Sequence, residues 1–238
     1  MIDAMIVMFG PPNSGKGTFG SRLSRRFGIP LIAAGDLVRE QLMNDESWFE
    51  NRYSWDVYDQ GGFVPDDLMG RLIREKIAAT NGICVLDGYP RTSVQLGFFE
   101  EFGFPYALVH IDQDDETLIE RALGRMTCED CGEIYARKNP RMQPNPDGSC
   151  VRCRGKVSVR SDDTEDGVRK RLAKYREETR PILDSLRENA IVWMEISPNT
   201  DDVDGISENL GNQIEDMLSS VSIGEGDRRH DQEVPLHR

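Results

Sequence analysis

Nine residues, GPPNSGKGT from Gly10 to Thr18, combine loop-forming glycines with one lysine. They follow the apolar run AMIVMF (4–9) and precede a helical pattern at about 15–27, the setting in which a G-x4-G-K loop binds phosphate. Gly10 and Gly15 permit the tight turn, N–H groups at the helix start face phosphate oxygens, and Lys16 brings positive charge to the β and γ phosphates. Gly17 stands where a Ser or Thr would ligate Mg2+, and the hydroxyl arrives one residue later, at Thr18. Asp87 closes the run GICVLD (82–87), so a parallel strand there delivers its carboxylate to the same edge as the loop, within reach of Mg2+ or its water shell.

A second constellation lies further along. Cys128, Cys131, Cys150 and Cys153 form C-x2-C-x18-C-x2-C, a spacing that lets two short knuckles bring four thiolates to one tetrahedral ion, zinc before iron. Gly132 and Gly155 follow the two pairs, and the first allows a turn that aims N–H groups at sulfur. Four protein ligands leave no open position, so the expected role is structural: the ion replaces a core that so small a module cannot build. Residues 124–160 hold eight Lys or Arg against four Asp or Glu, a net +4 that leaves −17 on the rest.

Such groups need a scaffold that holds them at one edge. Apolar runs at 4–9, 29–34, 82–87, 106–111 and 190–196 read as strands, and helical patterns at about 15–27, 66–80, 93–102, 115–126 and 203–219 separate or follow them. This alternation predicts parallel strands joined by right-handed crossovers, an α/β three-layer fold with ligands at the carboxyl ends of the strands. Residues 36–64 and 124–160 interrupt it as two excursions. A further helix is expected from Asp163 as N-cap, with Asp166 in its first turn and Pro181 marking a break. Residues 221–238 are polar and read as a disordered tail.

Composition narrows the partners. The 238 residues carry 29 Lys and Arg against 42 Asp and Glu, a formal charge of −13, which speaks against a nucleic-acid surface. No apolar run approaches the ~20 residues that span a bilayer, and Asp3 sits where a secretory signal would be basic. Four paired cysteines suit a reducing compartment, so the expectation is a cytoplasmic protein with no membrane and no nucleic-acid partner. The fifth, Cys84, reads as a small buried apolar residue.

Taken together, GPPNSGKGT, AAGDLVRE, GGFVPDD, LDGYPRTSVQ, ERALGR and RSDDTEDGVRKRL resemble, in order and spacing, the motifs of the adenylate kinase family, over about residues 5–196. The resemblance implies a P-loop three-layer fold with a five-stranded parallel sheet (1–32, 65–123 and 161–220), an inserted monophosphate-binding domain (33–64) and an inserted zinc-type lid (124–160). It implies transfer of a phosphoryl group from ATP, with Mg2+, to AMP, by a monomer. Carried over by position, ATP would lie on Gly10, Asn13, Ser14, Gly15, Lys16, Gly17 and Thr18, with Arg121, Arg125, Ile134 and Tyr135 around it. AMP would lie on Ala34, Gly35, Arg39, Gly62, Phe63 and Val64, then Gly88, Tyr89, Pro90, Arg91 and Gln95, with Arg160 and Arg171 shared. Lys16, Arg91, Arg125, Arg160 and Arg171 would be catalytic, Asp87 would sit near magnesium, and the four cysteines would hold zinc.

The physical demand of that reaction matches this residue set. Phosphoryl transfer requires two anionic groups to be aligned and their charge neutralised, and the planar fork of Arg fits phosphate oxygens in pairs. Three departures stand out. Ala34 occupies a position where many of the family have Thr or Ser and where UMP/CMP kinases usually have Ala, whereas Thr92 and Gln95 follow the AMP pattern. The segment SPNTDD (197–202) lacks the Gly common where the ATP base rests, and the small domain runs about two residues long. Two other readings remain open, a zinc-ribbon ATPase that binds nucleic acid and a regulatory P-loop switch.

Overall fold

The computed structural model describes residues 4–44, 64–80, 82–159, 163–198 and 202–225. The core is a five-stranded parallel sheet in the order β2-β3-β1-β4-β8, from β1 (Met5–Phe9), β2 (Leu31–Ala33), β3 (Val85–Asp87), β4 (Tyr106–Ile111) and β8 (Val192–Ile196). β1 and β4 are buried along their whole length, which explains why they are continuously apolar rather than alternating. Alternate residues still divide between two cores. Met5, Val7 and Phe9 pack with Tyr175 and Leu183 on one face, while Ile6 and Met8 pack with Phe19, Leu23 and Ile214 on the other. Truncating a fully buried Leu23 or Leu108 to Ala is worth about 3 kcal/mol in such cores.

Helices α1 (Lys16–Phe27), α2 (Ala34–Asn44), α3 (Asp66–Ala78), α4 (Ser93–Glu100), α5 (Asp115–Gly124), α6 (Glu165–Lys174), α7 (Leu183–Asn189) and α8 (Val203–Glu225) surround the sheet. Chain order makes β1 the switch strand: β3 lies on one side of it and β4 on the other, so a crevice opens beyond its carboxyl end. The loop from Gly10 fills that crevice. At the far edge of the sheet, His110 Nδ1 lies 2.7 Å from Glu195 Oε2, and Arg187 contacts the same carboxylate, which ties β4, β8 and α7 together.

Three sequence expectations shift. Ala34 starts α2 instead of ending the second strand. Thr164, not Asp163, caps α6, its hydroxyl accepting from Gly167 N at 3.1 Å. The last helix continues to Glu225, beyond the expected end near 219, and takes in the first residues of the expected tail. Pro181 does mark a break: α6 gives way to a π-helical turn (Tyr175–Thr179) and a 3₁₀ turn (Arg180–Ile182) before α7.

Residues between α5 and α6 form a separate antiparallel sheet in the order β6-β5-β7, from β5 (Arg125–Cys128), β6 (Ile134–Ala136) and β7 (Val157–Ser158). Its small core is Cys128, Tyr135 and Cys150, flanked by Met126, Cys131 and Val157. Ion pairs join this module to the main body: Lys138 with Glu120, Arg141 with Asp202, and Arg25 with Glu133 at 3.9 Å.

Candidate active site

Where β1 ends, Gly10 has φ +143° and an added Cβ would sit 2.2 Å from the Ile111 carbonyl oxygen, so no side chain fits. Gly15, at φ +103°, then turns the chain into α1. Between them, both polar atoms of the Asn13 amide and the Ser14 hydroxyl are buried without a hydrogen-bond partner among the described residues. These groups keep hydrogen-bonding capacity that a polar ligand in the loop could use. Lys16 Nζ donates to the Pro11 carbonyl at 2.6 Å. Burial of its ammonium, opposed by Asp87 and reinforced by Arg91 and Arg125, brings its pKa down to about 8.

Asp87 ends β3 in register with Met8 and Ala33, beside the loop. Its Oδ2 lies 3.3 Å from the Cβ position of Gly17. Burial pushes its carboxyl above the ordinary range, against the pull of Lys16 and Arg91. The next residue, Gly88, has φ +78°, and its bare Cα admits Arg91, whose Nη2 lies 2.6 Å from the position a Cβ would take. Arg91 is held from three directions. Nε donates to the Gly88 carbonyl at 2.7 Å, the backbone N–H donates to Gln95 Oε1 at 2.8 Å, and the carbonyl accepts from Thr179 Oγ1 at 2.8 Å.

Gln95 is buried, and its Nε2 donates to Asp66 Oδ1 at 2.8 Å. Both ends of the amide are thus engaged, yet each keeps a second hydrogen-bonding position. Arg39 on α2 folds over Gly35 and pairs with Asp36. Tyr89 and Val64 are buried in the adjoining core, as is Ala34, while Pro90 borders the cleft.

From the other side come the arginines of α5 and α6. Arg121 donates to the Ser14 carbonyl at 3.3 Å and to the Pro198 carbonyl at 2.6 Å. Arg125 grips Asp163 with two bonds of 2.8 and 2.7 Å, and Arg171 Nη2 reaches the same carboxylate at 2.9 Å. Although burial opposes ionisation, these two guanidiniums hold the Asp163 carboxyl below its ordinary range. Lys16, Asp87, Arg91, Gln95, Arg121, Arg125 and Arg171 all border one cleft of about 1810 Å3, well above the volume of a single small-molecule pocket. The expected Arg160, Gly62 and Phe63 lie outside the described residues.

The family model for adenylate kinase matches residues 8–191. The chain belongs to the adenylate kinase family. An adenylate kinase of Symbiobacterium thermophilum is 38% identical over 197 residues, 79% of this chain and 88% of the relative. Similar proteins of the same printed name occur in Rickettsia conorii (36% over 187 residues, 76% and 85%) and Halobacterium salinarum (31% over 189 residues, 79% and 86%). As a member of this kinase family the protein is a phosphotransferase.

This family member also carries the cysteine cluster. The four Sγ atoms all lie within 4.8 Å of one another, with Cys128 to Cys153 at 3.4 Å and Cys131 to Cys150 at 3.6 Å. Four sulfurs about 2.3 Å from one tetrahedral zinc stand roughly 3.8 Å apart, so the cluster fits that ion. Backbone N–H groups of Arg152 and Gly155 point at Cys150 and Cys153 sulfur, at 3.3 and 3.4 Å. Burial works against ionising Cys150, but hydrogen bonds from Tyr135 and from the Cys153 and Arg152 backbone outweigh it and bring the thiol down to about 6.

Two residues important to the site escaped the sequence reading. The sequence offers Asp163 as a cap, but Thr164 next to it can cap as well and does so, which leaves the Asp163 carboxylate to Arg125 and Arg171. Thr179 was not singled out, and only the π-turn on which it sits marks it.

Proposed function

We propose that the protein is an adenylate kinase in activity, transferring the terminal phosphoryl group of ATP, taken with Mg2+ as substrate, reversibly to AMP to give two ADP. One observation carries this reading: a single cleft joins a phosphate loop with unpaired buried groups to Arg91, Arg125 and Arg171 on the opposite walls. An oxygen of the AMP phosphate attacks the γ phosphorus while the bond from that phosphorus to the β–γ bridging oxygen breaks. Charge moves between phosphates, and no proton need be transferred to protein.

Catalysis here is alignment and charge neutralisation. Lys16 and the loop N–H groups bind the donor phosphates, and Arg91 with Arg39 takes the acceptor phosphate. Arg125 and Arg171, with Arg160, bridge the two, exchanging Asp163 for phosphate oxygens in part. Asp87 holds the water shell of the magnesium that arrives with ATP. Residues 33–64 form the monophosphate domain and 124–160 the lid, whose closure excludes water as a competing acceptor. The four cysteines would hold zinc, which supplies folding energy to the lid and no chemistry, since no coordination position is left open.

Gln95 supports AMP as acceptor, because a buried amide with one free donor and one free acceptor discriminates between base edges. Ala34, buried at the start of α2, favours the second reading, a UMP- or CMP-preferring kinase. Measuring kcat/KM for the four nucleoside monophosphates with ATP decides. AMP should lead by at least tenfold; preference for a pyrimidine would replace this assignment, and no monophosphate-dependent ADP formation would end both.

A further inference from the structure

Ile134 and Tyr135 are neighbours on β6, and a strand sends successive side chains to opposite faces. Ile134 faces the phosphate loop, with its Cδ1 3.6 Å from the Cβ position of Gly17. Tyr135 faces the other way, 2% exposed, in the core made with Cys128 and Cys150. Its hydroxyl donates to Cys150 Sγ at 3.1 Å and accepts from the Val151 N–H at 3.0 Å. Resemblance places both residues beside ATP, and both border the cleft, with their side chains on opposite faces of the strand.

We propose that Tyr135 is a positioning residue of the four-cysteine metal centre, its hydroxyl bonding the Cys150 ligand and fixing the knuckle at Val151, so that the ion sets the strand from which Ile134 reaches the phosphate loop. This rests on the reading that the cysteines hold a metal. Four thiolates on a divalent ion leave a charge of −2 on a group of which two ligands, Cys128 and Cys150, are buried. Hydrogen bonds to sulfur spread that charge, and Tyr135 adds a side-chain donor to the backbone donors of Arg152 and Gly155. The bond from Val151 N–H holds the phenol oxygen as well, so moving the hydroxyl away from sulfur would break two hydrogen bonds rather than one.

Full-length protein and its Tyr135→Phe variant, which keeps the ring and loses the oxygen, provide the test. Both are loaded with Co2+ to read the thiolate-to-metal charge-transfer band, and with Zn2+ to measure affinity by competition with a chromophoric chelator. The variant should bind one equivalent with a shifted band and an affinity lower by about tenfold. An unchanged band and affinity in the variant would overturn the role of Tyr135 while leaving the metal centre standing. Failure of the unaltered protein to bind either ion would overturn the metal reading and this inference with it. Should the variant not fold, NMR of the unaltered protein loaded with 113Cd decides: a Tyr135 hydroxyl proton protected from exchange supports the bond, and rapid exchange overturns it.

Discussion

Asp163 accepts two parallel hydrogen bonds from Arg125 and shares one of its oxygens with Arg171, although it lies 38 positions beyond Arg125 in the chain, with the cysteine module between them. The carboxylate holds two guanidiniums together, one from the strand that opens the cysteine module and one from α6, which follows it. Its side chain is fully buried, so the pair is shielded from solvent screening.

Replacing Asp163 by Asn removes the charge that compensates Arg125 and Arg171. Losing one partner of a buried pair is worth about 3 kcal/mol, and chemical denaturation should show a loss of that order. Because the carboxyl sits below its ordinary range, its stabilising effect is full above the unfolded-state pKa and fades as acid protonates it through the folded value. The unaltered protein should therefore lose stability with falling pH more steeply than the variant. Parallel slopes in the two denaturation series would contradict this.

Lys16 has the opposite sense. Its pKa falls from the ordinary 10.5 to about 8, so keeping the ammonium charged works against the fold below pH 8, and that penalty is relieved as pH rises from about 8 to 10.5. Polyphosphate restores the charged form. Above pH 8 the binding of a non-hydrolysable ATP analogue should take up a proton, with affinity falling up to about tenfold per pH unit. Calorimetry in two buffers of different ionisation enthalpy would detect the uptake, and it should vanish in Lys16→Met.

Gly10 and Gly88 both have positive φ, yet alanine should damage them differently. At Gly10 the new methyl meets a backbone oxygen of β4 at 2.2 Å, which the sheet cannot move, so Gly10→Ala should lose more than about 3 kcal/mol or fail to fold. At Gly88 the obstacle is the Arg91 guanidinium, the end of a flexible side chain. Gly88→Ala should lose about 1–2 kcal/mol of stability while KM for the monophosphate rises tenfold or more. Thermal melts and initial rates on the two variants separate the cases.

Withdrawing the metal should loosen one part of the molecule only. After treatment with a thiol-selective mercurial and a chelator, hydrogen exchange should accelerate across residues 125–158 and leave β1 and β4 protected, with activity falling in step. Activity that survives complete metal loss would show that the ion is not needed to hold the lid.

Local signals carried much of this protein. The apolar runs of β1 and β4, the G-x4-G-K loop between strand and helix, and the paired cysteines each depend on neighbours a few residues away, where periodicity and steric rules act directly. Contacts between distant segments follow no such rule. Whether Asp163 capped a helix or clasped two arginines turned on a single residue of register, settled when Thr164 took the cap and α6 packed against α5. Which face Tyr135 presents was decided by how β6 pairs with β5, through Met126 opposite Tyr135, and by the cysteine knuckles that close over its ring. Sequence determined which groups were available and in which elements they stood; packing of elements far apart in the chain determined which of them meet.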